Sequence, residues 1–207
     1  MSCPGERWAD IGCGTGHLAA ELAAAGLEVT GIDRSPEMLA YADRRFGAEE
    51  RLRFELAGAD ALPFEDGSVD GVVATSLAGC LADPEAFLRE TRRVLRPGGV
   101  AVVSFTNRRS VLHGIGHLLR WVTGGGAGWW RTAAQLLSRV EAEAELVAAG
   151  LDPVALRFLN FFIGVGPAML PPRPIADALE RRLRDARDSR LARNLLAVAV
   201  RPAQEQG

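Results

Sequence analysis

The chain has 207 residues, 48% hydrophobic and 24% charged, with a formal net charge of −2. That is the size and balance of one globular domain, and it offers no global positive field for nucleic acid. All 24 basic residues are arginines, which excludes a catalytic lysine of any kind and the Gly-Lys phosphate loop of nucleotide hydrolases.

Three unpatterned cysteines, Cys3, Cys13 and Cys80, argue against a disulfide framework. No apolar run approaches the roughly 20 residues of a membrane span, and the first residues carry no apolar signal region. A cytoplasmic location is expected.

Along the first half, short apolar runs alternate with helical patterns, as in parallel βαβ units. Residues 7–11 read as a strand, followed by a glycine loop, a helix over 17–25 stopped by Gly26, and a second strand over 28–32. Ser35-Pro36 sets a cap and a first-turn proline for a helix reaching about Phe46. Residues 52–56 and 69–74 read as the third and fourth strands, the latter apolar throughout, as a strand covered on both faces should be. Asp83-Pro84 opens the next helix, Arg96-Pro97-Gly98-Gly99 closes it, and residues 100–105 form a fifth strand.

The second half is less regular. A helix is expected over 111–122, a flexible glycine-rich loop over 124–128, and a helix capped by Ser138 and Glu141 that ends near Gly150. Residues 154–163 and 195–200 are two more strands, with a charged helix over 175–187 between them. Arginine and acidic residues interleave in the stretch 173–193, which reads as a solvated helix and not a nucleic-acid stripe. The whole predicts one α/β domain over 1–207, with a regular half at 6–106 and a less regular half at 107–207.

A strand running into a glycine turn and a helix suits a nucleotide-like ligand, because glycines admit the backbone and the helix start offers N–H groups. The spacing is Asp10-x-Gly12-x-Gly14-x-Gly16, with Cys13 inside it and His17 where a dinucleotide fingerprint would need glycine. Asp33 ends the second strand, next to Arg34, where a carboxylate can accept both ribose hydroxyls. Met38 and Leu39 follow, then Gly58-Ala59-Asp60-Ala61-Leu62-Pro63-Phe64, then Arg93-Val94-Leu95-Arg96-Pro97-Gly98-Gly99.

In this order the motifs resemble the class I S-adenosylmethionine-dependent methyltransferases, of the small-molecule type, over roughly residues 6–106. The resemblance implies a Rossmann-like doubly wound sheet of seven strands in the order 3-2-1-4-5-7-6, the last antiparallel. It implies S-adenosyl-L-methionine as cofactor. Asp10, Gly12, Cys13, Gly14 and Gly16 would hold its methionine part, and Asp33 and Arg34 would lie at its ribose. Asp60, Ala61 and Leu62 would recognise its adenine. Met38 would pack near the adenine or serve as a core residue. Thr75, in Thr75-Ser76-Leu77-Ala78 after the fourth strand, would face the transferred methyl.

Methyl transfer from a sulfonium needs alignment first, and a base only if the acceptor must lose a proton. Candidate bases are few. His113 and His117, four apart on one helical face with Arg120, line the acceptor pocket or a solvated face. They lack the intervening Glu and third His of a metal site, so no metal is expected. His17 and the single tyrosine, Tyr41, read as a cofactor neighbour and a packing residue. Cys80 lacks the preceding proline of a cytosine-methylase nucleophile. Trp121, Trp129 and Trp130 form an aromatic wall or anchor a loop.

The first strand begins only six residues in, and Pro4-Gly5-Glu6 resembles the linker that precedes it in related enzymes, which carry lid helices upstream. The expectation is a cleft left open, or closed by the 124–130 loop or by a partner subunit in a homodimer. The expected activity is methyl transfer to a small-molecule acceptor. Alternatives are a non-catalytic S-adenosylmethionine or S-adenosylhomocysteine binder, and, against the glycine spacing, a nicotinamide oxidoreductase.

Overall fold

The computed structural model describes residues 5–110, 136–159, 192 and 194–203. Strands β1 (Arg7–Ile11), β2 (Glu28–Asp33), β3 (Leu52–Leu56), β4 (Val69–Ala74), β5 (Leu95–Asn107), β6 (Leu136–Leu137), β7 (Asp152–Leu159) and β8 (Asn194–Val200) form one sheet. The helices are α1 (His17–Ala24), α2 (Pro36–Phe46), α3 (Pro84–Val94) and α4 (Arg139–Ala148). The order β3-β2-β1-β4-β5-β8-β7 is the expected one, with β8 antiparallel to both neighbours.

Local chemistry explains the helix starts. Ser35 Oγ accepts from Met38 N, and the Asp83 side chain accepts from Ala86 N, each with proline in the first turn. Ser138 and Glu141 form the expected reciprocal capping box of α4. The core lies between the sheet and α3 and α4, where Phe87, Leu88, Leu146, Val103, Phe158 and Leu195 are almost wholly buried. Each such side chain contributes about 1.5–3 kcal/mol by leaving water.

Three differences from the sequence reading have physical causes. β5 begins at Leu95, because Leu95 still pairs with Val69 before the register shifts and Val100 pairs with Gly71. The Arg96–Gly99 turn is thus a bulge carried by the strand, with Gly98 at φ 78°. A further strand, β6, pairs in parallel with the end of β5; two residues are too short to show any alternation. β7 starts at Asp152, two residues early, with Pro153 paired to Ala199 and the register shift falling at Val154. The helices expected over 111–122 and 175–187, the loop over 124–128 and the end of the strand expected over 154–163 lie outside the described residues.

Candidate functional site

Strand order reverses between β1 and β4, and in open α/β sheets ligands bind at the carboxyl ends of the strands at such a point. A cavity of about 190 Å³ lies there. Its walls include Gly12 after β1, Asp33 and Arg34 at the end of β2, Ala57 and Ala59 after β3, and Ser76, Leu77, Cys80 and Leu81 after β4.

The glycine loop is built by backbone bonds. The N–H groups of Gly12 and Cys13 both donate to Ile32 O, at 2.7 and 2.9 Å, pinning the end of β1 to β2. Gly16 begins α1 in the left-handed region, at φ 77°, without a side-chain cap. A Cβ there would stand 2.8 Å from the Phe54 ring and 2.9 Å from Ala42 Cβ. Glycine is therefore required by conformation and by space. Gly14, at φ 53°, has open space where a Cβ would stand.

Two carboxylates flank the loop. Asp10 is 1% exposed, and its Oδ2 has no hydrogen-bond partner among the described residues. Burial pushes its carboxyl up to about 7; the Ala19 backbone N–H opposes this, and the nearby Asp33 charge adds to it. The Cys13 thiol is pushed up to about 12, mainly by burial and then by Asp10 and Asp33, so it stays a thiol. Asp33 is half-buried, and each oxygen accepts one backbone bond, from Gly14 N at Oδ2 and from Ser35 N at Oδ1, both at 2.9 Å, which leaves further acceptor capacity on each.

After β4, Ser76 is the single non-glycine residue with positive φ among the described residues, at 58°. Its N–H donates to Ser104 Oγ on β5 at 2.7 Å, which holds this sparsely populated conformation at the cavity wall. Thr75 is exposed and does not line the cavity; Ser76 does.

The segment after β3 is fastened from below. Arg93 on α3 donates to both oxygens of Glu90, to Asp66, and to the carbonyls of Phe64 and Leu62. Glu90 Oε2 in turn accepts from Leu62 N at 2.9 Å. Hydrogen bonds from Arg93 hold the Glu90 carboxyl below its ordinary range, with the Leu62 N–H adding to this against burial. Leu62 is thereby buried and turned inward, whereas Asp60 is exposed and Ala61 N is bonded back to Gly58 O.

Met38 is 45% exposed, so it is not a core residue, and Tyr41 at 42% does not take the packing role expected of it. His17 sets its ring edge-on against Phe46, with centroids 5.2 Å apart. His113, His117, Arg120, Trp121, Trp129 and Trp130 lie outside the described residues. Among the described residues no three His, Cys, Asp or Glu side chains could hold a metal ion. Nor is any helix among them long and apolar enough to cross a membrane.

Sequence reasoning missed Glu90, Arg93 and Ser104 as builders of the site, and Ala57 and Leu81 as its walls; Ala59 and Leu77 lie in the segments it singled out after β3 and β4. Position after a strand end was the available signal for the wall residues. The three builders act from other elements, and only the fold brings them near.

Residues 9–103 match the methyltransferase domain family. That match, with the sheet order and the switch-point cavity, supports a class I S-adenosylmethionine-dependent methyltransferase domain. Over 99 residues, 48% of the chain, it is 40% identical to the demethylmenaquinone methyltransferase of Clavibacter sepedonicus, covering 40% of that protein. Over 165 residues, 76% of the chain, it is 31% identical to the ubiquinone biosynthesis O-methyltransferase of Cereibacter sphaeroides, covering 64% of that protein. The chain thus spans less than two thirds of the length of either relative. A SAM-dependent methyltransferase from Thermotoga maritima superimposes with a TM-score of 0.71 at 20% identity, over 96% of this chain and 84% of that one. That likeness is one of fold.

Proposed function

We propose that this protein binds S-adenosyl-L-methionine at the switch-point cavity and transfers its methyl group to a small-molecule acceptor. The observation that carries the reading is the buried Asp10 with an unpartnered oxygen, beside an uncapped helix start and the Asp33 carboxylate. A buried acceptor of this kind suits a cationic donor, and the helix start suits a carboxylate. Those two groups together are the ammonium and carboxylate of an amino acid, which fits the methionine end of the cofactor.

On this reading Asp10 and the loop Gly12-Cys13-Gly14-Gly16 hold the methionine part, and Asp33 receives the ribose hydroxyls with Arg34 beside it. Met38, Ala57, Ala59, Asp60 and Ala61 surround the adenine, while Leu62 acts through the packing that Glu90 and Arg93 impose. Ser76 takes the place next to the methyl that the motif assigned to Thr75. The cofactor supplies a sulfonium methyl that is already activated. The protein's contribution is then to orient the two reactants and exclude water, effects worth up to about 7–11 kcal/mol in well-aligned intramolecular reactions. Leu77 and Leu81 give the cavity an apolar wall for the second task.

One named relative is a demethylmenaquinone methyltransferase and the other an O-methyltransferase of ubiquinone biosynthesis, so quinone-like rings head the list of acceptors to try. The test is thermal melting with S-adenosylhomocysteine, followed by transfer of a labelled methyl to an acceptor panel. Ligand at about a hundred times its dissociation constant adds roughly 2.7 kcal/mol, a rise of about 5–10 °C for a chain of this size. No rise would overturn the reading. A rise without transfer to any acceptor would leave the alternative of a non-catalytic binder.

A further inference from the structure

The two edges of the sheet end differently. At one edge β7 carries Pro153 inside the strand and a register shift against β8, and both features discourage further pairing. At the other, β3 has no proline, and its register with β2 is unbroken from Leu52 to Leu56.

The direction of the β3 backbone groups follows from two bonds. Val29 N donates to Arg51 O, and Ala57 N donates to Asp33 O. Backbone groups of successive strand residues face opposite sides, so Arg51, Arg53, Glu55 and Ala57 face β2. The N–H and C=O groups of Phe54 and Leu56 and the C=O of Leu52 therefore face outward, a template for another strand, while Leu52 N–H is taken by Glu49 O at 3.1 Å.

A closed pair of copies is related by a two-fold axis, which makes edge pairing antiparallel. Centred on Phe54, such a pairing joins Phe54 to its own copy through both backbone groups and lets Leu56 N–H donate to the Leu52 carbonyl of the other copy, two such bonds by symmetry. It also sets Arg53 directly opposite Glu55 of the other copy, in the closer, non-hydrogen-bonded position. Both side chains are exposed, neither enters an ion pair among the described residues, and opposite charges so placed attract. They project on the sheet face away from Phe54, whose ring packs under Gly16 and Gly31, so pairing leaves the loop packing untouched. Leu56, 59% exposed, gains an apolar cross-strand neighbour.

We propose that the β3 edge is a self-association surface, on which a second copy of this chain adds its own β3 antiparallel about Phe54. What selects a second copy is that Arg53-Phe54-Glu55 is complementary in charge to its own reversal. A single short strand pair is a small interface, so the expected dimer is weak, in the micromolar range or above. This inference does not depend on the proposed cofactor or reaction.

The test is sedimentation velocity of the full chain from low to several hundred micromolar, where the weight-average mass should climb toward the dimer. Arg53→Glu and Glu55→Arg each place like charges opposite one another twice, and each should weaken self-association by about tenfold or more. The double exchange Arg53→Glu/Glu55→Arg should restore it. Unchanged melting temperatures in all three variants show that the fold is intact. A wild-type chain that stays monomeric throughout overturns the proposal, even if β3 captures a strand of another protein. So does a dimer indifferent to the single reversals, or one that the double exchange fails to restore.

Discussion

The ends of β1 and β2 carry the same functional group in opposite circumstances. Asp10 is sealed from water with one oxygen unpartnered, and its carboxyl is pushed up to about 7. Asp33, on the neighbouring strand, reaches the cavity with both oxygens bonded to backbone N–H groups. The lesson is that sequence supplies the carboxylate while depth in the fold decides its charge. Asp33 offers half-buried oxygens that reach the cavity to hydroxyl donors, whereas Asp10 is stable as an anion only opposite a cation.

Four substitutions sharpen or break that contrast. Asp33→Ala removes two charge-assisted acceptors at once, and affinity for S-adenosylhomocysteine should fall by roughly a hundredfold by calorimetry. A fall of only two- or threefold would remove Asp33 from the binding reading. Gly16→Ala forces a Cβ against Phe54 and Ala42 at φ 77°, and should cost about 2–3 kcal/mol of stability in urea melts.

Asp10→Asn should raise stability without ligand by about 4 kcal/mol at pH 8, while weakening S-adenosylmethionine binding. The sign follows from a carboxyl whose folded value, about 7, lies above its ordinary 3.8. The folded state then binds the extra proton, so wild-type stability declines as pH rises between those values and is level beyond them. The variant should lose that slope, and its advantage should vanish near pH 4. Gly14→Ala is the mildest, because no atom stands where the Cβ would go. It should cost about 1 kcal/mol, from φ alone.

Most of the first half was legible because its signals are local. Asp10 to Gly16, Asp33 and Ser35-Pro36 each sit at a strand end or helix start that a short stretch of chain specifies. The site's supports were not legible, because Glu90 and Arg93 reach back nearly thirty residues to Leu62 and Phe64, and Ser104 reaches Ser76 only through the pairing of β4 with β5. Ser76 lay within the segment singled out after the fourth strand, but its place at the cavity wall was hidden for another reason. Its left-handed conformation is imposed by neighbours, and nothing about a serine announces it. Thr75, one residue earlier, was the natural choice from position alone.

The hydrogen bond from Gly14 N to Asp33 Oδ2 joins the segment assigned to the methionine end with the one assigned to the ribose. Two binding sub-sites that share a bond are not independent. On the proposed reading, a fragment seated at either one, adenosine or methionine, should shift an atom the other sub-site uses. Their separate affinities should therefore not multiply to that of the whole molecule, even after linkage is allowed for. Measured fragment by fragment, the loop should behave as a single hinge-pin and not as two neighbouring pockets.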